Sequence, residues 1–165
     1  MQSPSDVVVS AWIGLIRAER AVRTRVETDL KGAGFPSLSW YDVLLELKRA
    51  PDGCLTPRDL EHEMLFEQYN LSRLLDRMEA EGLVQRQQCP SDRRGWHAVI
   101  TSAGRSQLRS AAPVHLRGVE RHFGRHLSDE EADLLADVLG RVLGELRPDS
   151  PLVPRVCEPA TAKTN

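Results

Sequence analysis

The stretch Ser91-Asp92-Arg93-Arg94-Gly95-Trp96-His97-Ala98-Val99-Ile100-Thr101-Ser102-Ala103-Gly104 decides the reading of this chain. It sets a charged turn, a short strand and a helix start in immediate succession. Directly before it, Leu83-Val84-Gln85-Arg86-Gln87-Gln88 reads as a second strand. Pro90, Ser91, Asp92 and Gly95 lie between the two runs and supply turn chemistry, so the pair predicts a β-hairpin with a basic tip. Upstream, Leu71, Leu74, Leu75 and Met78 recur at helical spacing, and that helix should end at Gly82. Helix, basic-tipped hairpin, helix is the order of a winged helix-turn-helix. In such a fold the helix can enter a DNA major groove and the tip the flanking minor groove.

Working outward, residues 6 to 31 predict one long helix, with Val8, Trp12, Leu15, Ile16, Val22, Val26 and Leu30 on its apolar face. Arg17, Arg20, Arg23, Glu27 and Lys31 take the other side. Gly32 and Gly34 end it, and Pro36 prevents resumption. A second helix runs from about Ser39 to Arg49 with Val43, Leu44 and Leu47 inward, and Pro51-Asp52-Gly53 is a turn. Thr56-Pro57 is a helix start, a hydroxyl cap followed by proline at the first helical position. That short helix covers 57 to 63, a turn follows from Met64 to Glu67, and the next helix covers about 68 to 81. On it Tyr69, Ser72, Arg73, Asp76 and Arg77 share a polar stripe away from the leucines, as a recognition helix requires.

After the hairpin, Thr101 caps a helix over about 102 to 125, with Pro113 as a kink. Ser128-Asp129-Glu130-Glu131 is a capping box, and the helix it opens carries Leu134, Leu135, Val138, Leu139, Val142, Leu143 and Leu146 before Pro148 stops it. Residues 148–165 are rich in proline and predict an extended or disordered tail.

Composition is that of an ordinary globular chain, with 41% hydrophobic and 28% charged residues. A net charge of −2 does not itself announce nucleic acid, although only the surface facing phosphate needs to be positive. No run of about 18 apolar residues predicts a membrane span, and Met1-Gln2-Ser3-Pro4-Ser5-Asp6 lacks signal-peptide character. A cytoplasmic location is the expectation. Cys54, Cys89 and Cys157 are odd in number and widely spaced, so they indicate neither a disulfide framework nor a zinc site. No nucleophile–base set, phosphate-binding glycine loop or His-Glu-x-x-His motif supports catalysis, and no cofactor or metal is expected.

Two motifs resemble the MarR family of bacterial transcriptional regulators over roughly residues 6 to 147. One is Leu71-Ser72-Arg73-Leu74-Leu75-Asp76-Arg77-Met78-Glu79-Ala80-Glu81-Gly82-Leu83-Val84, similar to that family's recognition helix and its exit. The other is Asp92-Arg93-Arg94 followed by Ile100-Thr101 and Gly104, where Ile100 stands for the usual Leu. The resemblance implies a mainly α fold: a winged helix-turn-helix with a two-stranded β-hairpin wing, plus N- and C-terminal helices forming a dimerisation lobe. On that reading residues 1–165 are one domain, with dimerisation helices at 6–38 and 102–147 and a DNA-binding lobe at 39–101. It also implies an obligate homodimer on a pseudo-palindromic double-stranded operator, released by a small phenolic or aromatic acid. The long apolar faces of the terminal helices agree, because one subunit has too little mass to cover them.

The candidate DNA contacts are Arg58, Gln68, Tyr69, Asn70, Ser72, Arg73, Arg77, Arg93 and Arg94. Arg94 suits a narrow, electronegative minor groove. Asp92 is assigned to wing structure, pairing with Arg94 or Arg77. Gln68, Tyr69, Asn70 and Ser72 stand at the N-terminal end of the recognition helix, which reaches base edges. Trp12, Ile16, Trp40, Tyr41 and Leu44 are the candidate ligand pocket, with plain core as the competing role for the aromatics. Trp12, Leu139 and Leu143 are assigned to the dimer interface. His122 and His126 share a helix face with His115 two turns earlier, but the surrounding arginines oppose a metal. Two other functions compete: a winged-helix protein-interaction module without DNA binding, favoured by the net negative charge, and a redox-controlled regulator using Cys54 or Cys89.

Overall fold

The structure, a computed structural model, describes residues 3–64, 71–88 and 95–146. The elements are α1 (Asp6–Gly32), α2 (Leu38–Arg49), β1 (Cys54–Leu55), α3 (Pro57–Glu63), α4 (Leu71–Ala80), β2 (Val84–Gln88), β3 (Trp96–Ile100), α5 (Ser102–His122) and α6 (Asp129–Leu146). The chain divides into two compact units, the first ending at Arg125 and the second beginning at His126. Among the described residues no helix is long and apolar enough to cross a membrane.

Most helix starts are made by local caps. The Ser5, Ser37, Thr56 and Thr101 hydroxyls each accept a first-turn backbone N–H, at α1, α2, α3 and α5 respectively. Before α6 the capping box is reciprocal: Ser128 N–H donates to Glu131 Oε2 at 2.8 Å, and Glu131 N–H donates to Ser128 Oγ at 3.3 Å. α4 ends as its sequence requires. Gly82 takes φ +70°, and Leu83 N–H returns to the Met78 carbonyl at 2.9 Å.

The core of the first unit surrounds α2. Leu30 from α1, Val43, Leu44 and Leu47 from α2, Leu60 from α3, and Leu74, Leu75 and Met78 from α4 are all fully buried. α1 contributes through its C-terminal half, where Val26 and Leu30 pack inward, and that half lies along α5. Gly118 sits at this approach, since a Cβ there would touch Val26 and Asp29. Glu27 ties α1 to α2 by accepting the Leu38 N–H at 2.7 Å. Burial would raise the Glu27 carboxyl, but Lys31 and this amide outweigh it and hold it below its usual value.

β2 and β3 form the predicted hairpin, with Val84 opposite Ile100 and Gln88 opposite Trp96. The sheet has a third strand the sequence reading lacked: β1 pairs with β3, Cys54 opposite Val99, giving the order β1-β3-β2. Two residues are too few to show an alternating pattern. α5 is also shorter than predicted, ending at His122, where Phe123 leaves the helical region before a turn of 3₁₀ helix over Gly124–His126. Pro113 lies inside α5.

The junction of hairpin and α5 explains the Thr101…Gly104 spacing. The Thr101 hydroxyl donates to the Gly82 carbonyl at 2.7 Å and accepts the Gly104 N–H at 3.0 Å. Thr101 N–H donates to the Leu83 carbonyl at 3.1 Å. A Cβ on Gly104 would overlap that Leu83 carbonyl oxygen and press on Ile100 and Leu44. The end of α4, the hairpin and the start of α5 therefore meet around one threonine and one glycine.

Candidate nucleic-acid interface

The two faces of α4 separate cleanly. Leu71, Leu74, Leu75 and Met78 are buried, while Ser72, Arg73, Asp76 and Arg77 are exposed. The apolar side anchors the helix on the core and leaves the polar stripe for a partner. The Arg77 Nε–H lies 3.4 Å from the Arg73 carbonyl, so this guanidinium folds back along its own helix. Arg58 is exposed in the first turn of α3, whose start Thr56 and Asp59 cap mutually: Thr56 Oγ1 accepts the Asp59 N–H at 3.1 Å and donates to its carboxylate at 2.6 Å.

Gln68, Tyr69, Asn70, Asp92, Arg93 and Arg94 lie outside the described residues, so of the predicted DNA contacts the structure places Arg58, Ser72, Arg73 and Arg77. β2 and β3, which flank residues 89–94, are in place.

The wing strands are joined to α4 by a residue the sequence reading did not single out. The Arg86 N–H, on β2, donates to Glu79 Oε1 at 2.9 Å. The Arg86 guanidinium pairs with Asp76 and, at 3.4 Å, with Glu79. It also lies over the Trp96 ring of β3, 4.5 Å from the ring centre. Trp96 thus stacks within the wing, against a cation of the neighbouring strand. The acidic pair at i, i+3 on α4 was the available signal, but nothing in spacing links it to a strand residue.

Behind the interface, α2 carries polar groups into the core. Asp42 is 6% exposed, and its Oδ2 has no hydrogen-bond partner among the described residues. Burial pushes its carboxyl up to about 8; Arg23 opposes the shift, whereas Glu46 and Glu27 add to it. Asp42 is therefore mostly protonated at neutral pH. Burial also raises the Glu46 carboxyl, against the pull of Arg49, whose Nη1 donates to it at 2.8 Å. On the α5 side the His115 ring stacks on Tyr41 at 4.3 Å between centres, its Nδ1 buried without a partner among the described residues. Burial lowers its pKa, so it favours the neutral form.

The five predicted pocket residues do not share one environment. Trp40, Tyr41 and Leu44 are buried in the core, whereas Trp12 and Ile16 are exposed on α1. A cleft of about 240 Å³ opens instead between α1 and α5, lined by Asp29, Gly32, Ala33, Val114, Arg117 and Arg121. The histidines also diverge: His115 goes to Tyr41, and His122 Nε2 lies 2.9 Å from the Asp29 carboxylate. Of the predicted dimer residues, Trp12 is 62% and Leu143 43% exposed, and Leu139 is half-buried. Cys54 is half-buried on β1, and Cys89 and Cys157 lie outside the described residues.

A model of the MarR family matches residues 33–95, which span α2, α3, α4 and the start of the wing. HTH-type transcriptional regulator PrsX of Escherichia coli is 32% identical over 89 residues, or 54% of this chain. The match spans about half of that relative's own length, 53%. The crystal structure of AbsC, a MarR family transcriptional regulator from Streptomyces coelicolor, superposes with a TM-score of 0.76 at 30% identity, covering 90% of this chain and 99% of AbsC. Sco3205, a MarR family regulator from the same organism solved in complex with DNA, gives 0.78 at 25% identity, covering 92% of this chain and 96% of Sco3205. With AbsC matched over nearly its whole length at that identity, this chain belongs to the MarR family of transcriptional regulators.

Proposed function

We propose that the chain works as a homodimeric, sequence-specific DNA-binding regulator in the cytoplasm, a repressor that leaves a two-fold symmetric operator when a small aromatic or phenolic acid binds. The observation that carries the reading is the exposed stripe Ser72, Arg73, Asp76, Arg77 on a helix anchored by four buried apolar residues and tied to the wing strands. In this role Ser72 and Arg73, with Gln68, Tyr69 and Asn70 before them, read base edges in the major groove. Arg77 and Arg58 hold phosphates. Arg93 and Arg94 serve the minor groove, with Asp92 shaping the wing. Sco3205, solved in complex with DNA, supports DNA as the partner.

Apolar surface supports the homodimer. On α1, Val7, Val8, Trp12, Ile13 and Ile16 are exposed, and on α6 so are Leu134, Val138, Val142, Leu143 and Leu146. Such faces call for a partner, and a second copy through Trp12, Leu139 and Leu143 is the one proposed. A two-fold dimer then sets half-site centres about one helical turn, roughly 10 base pairs, apart.

For induction, a planar acid beside Trp12, Ile16 or the Trp40–Tyr41–Leu44 segment must favour the non-DNA arrangement of the two recognition helices, since equal affinity for both shifts nothing. Tryptophan fluorescence during titration with aromatic acids, read beside operator release, tests this part. The DNA reading itself is tested by the salt dependence of binding to mixed-sequence duplex. A regulator that neutralises phosphates loses affinity steeply and linearly in log salt. No binding at any salt favours the protein-interaction module instead.

A further inference from the structure

We propose that Arg86 is the positioning residue of the DNA interface: it seats the wing strands on α4 and cancels two carboxylates of that helix, Asp76 in the polar stripe and Glu79 beside it. The proposal rests on the DNA-binding reading above. Asp76 and Glu79 are three residues apart, so both lie along one side of α4. Arg86 meets them from β2. Its backbone N–H donates to one Glu79 oxygen at 2.9 Å, and its guanidinium takes the other at 3.4 Å together with Asp76. The guanidinium plane covers Trp96 of β3 at 4.5 Å. A planar fork with five donors can serve two carboxylates and an aromatic face together, which a lysine ammonium cannot. One side chain thereby joins the recognition helix to both strands of the wing.

These pairs contribute little to folding. The Arg86 side chain is 35% exposed, Asp76 54% and Glu79 37%, and exposed ion pairs are worth about 0–1 kcal/mol. Their effect falls on DNA. Freed of Arg86, Asp76 and Glu79 would face phosphates as bare negative charges. The hairpin would also lose its fixed direction relative to α4, and that direction decides whether Arg93 and Arg94 meet the groove when the recognition helix does. A residue acting this way changes affinity through other residues, without touching DNA.

The test is a double-mutant cycle on operator DNA with Arg86→Met, which keeps an apolar stem against Trp96, and Arg94→Ala. Arg86→Met should weaken binding about tenfold while the melting temperature moves by less than about 3 °C. Arg94→Ala should cost about tenfold in the wild-type protein but under threefold in the Arg86→Met protein, because a wing already misdirected has little left to lose. The Trp96 indole NMR signal, identified with Trp96→Phe, should shift in Arg86→Met, with shifts at the β2 and β3 amides. Losses that multiply, with each variant lowering the salt slope by about one, would make Arg86 a direct phosphate contact and overturn the proposal. An unmoved Trp96 signal would overturn it as well. A wild-type protein that binds no DNA would instead sink the DNA reading, and this proposal with it.

Discussion

Replacing Asp42 with asparagine should stabilise the protein, and by an amount that depends on pH. The carboxyl lies in the core at 6% exposure with Oδ2 unpartnered, and burial moves it from its ordinary 3.8 to about 8. The sign follows from proton counts. Between about pH 4 and about pH 8 the folded protein holds a proton on Asp42 that the unfolded chain has released, so unfolding liberates a proton and stability falls as pH rises. Each pH unit in that window costs up to about 1.4 kcal/mol, for a ceiling of about 4 kcal/mol at pH 7. Movement of Arg23 toward Asp42, or water entry, would reduce it, and about 2 kcal/mol is expected. Asparagine has the shape of the protonated acid and cannot ionise. Asp42→Asn should therefore match the wild type near pH 4 and exceed it increasingly up to about pH 8. At pH 7 its melting temperature should be about 4–8 °C higher, at 2–4 °C per kcal/mol for a chain of this length. The assay is thermal or urea unfolding of both proteins from pH 4 to 9 at one fixed protein concentration, since a dimer's midpoint depends on concentration. A pH-independent difference, or a variant less stable at pH 8 than at pH 5 relative to wild type, would refute the reasoning.

On the acid side, neutral His115 should make the fold lose stability as pH falls below about 6.5, where the unfolded chain gains a proton that the buried ring resists. His115→Phe keeps an aromatic face for Tyr41 and should flatten that loss in the same unfolding series. Gly104→Ala should lower the unfolding free energy from urea titration by about 1–3 kcal/mol, because the new methyl group meets the Leu83 backbone carbonyl, which cannot rotate away. Trp12→Glu should leave the circular dichroism of the helices intact and convert the protein to monomers in sedimentation at micromolar concentration. A Trp12→Glu dimer of unchanged affinity would remove α1 from the interface.

What was legible in the sequence was whatever chemistry stays local. Thr56-Pro57, Thr101 and the Ser128…Glu131 pair announce helix starts because a cap reaches only two or three residues. Gly82 announces a helix end because the left-handed turn it makes is its own. The leucine spacing of α4 gave its buried side without knowledge of what it packs on. The departures arise where partners are distant. β1 is made by pairing with β3 and has no pattern of its own. Asp42 and Glu46 read as ordinary helix polar residues, and only the packing of other elements around α2 shows them to be buried. Trp40 and Tyr41 have the same periodicity whether they line a pocket or a core, so their burial could not be read from spacing. Arg86 looked like one more exposed strand residue, since its partners are seven and ten residues upstream on α4 and ten downstream on β3.

The central claim is a two-fold symmetric, sequence-specific DNA binder. Selection of bound fragments from a random duplex pool by the purified full-length protein tests it most directly. The account predicts enrichment of an inverted repeat with half-site centres roughly 10 base pairs apart, and loss of the enriched bases when Arg73 is replaced by alanine. A pool that stays random, or that converges on a single asymmetric half-site, would contradict it.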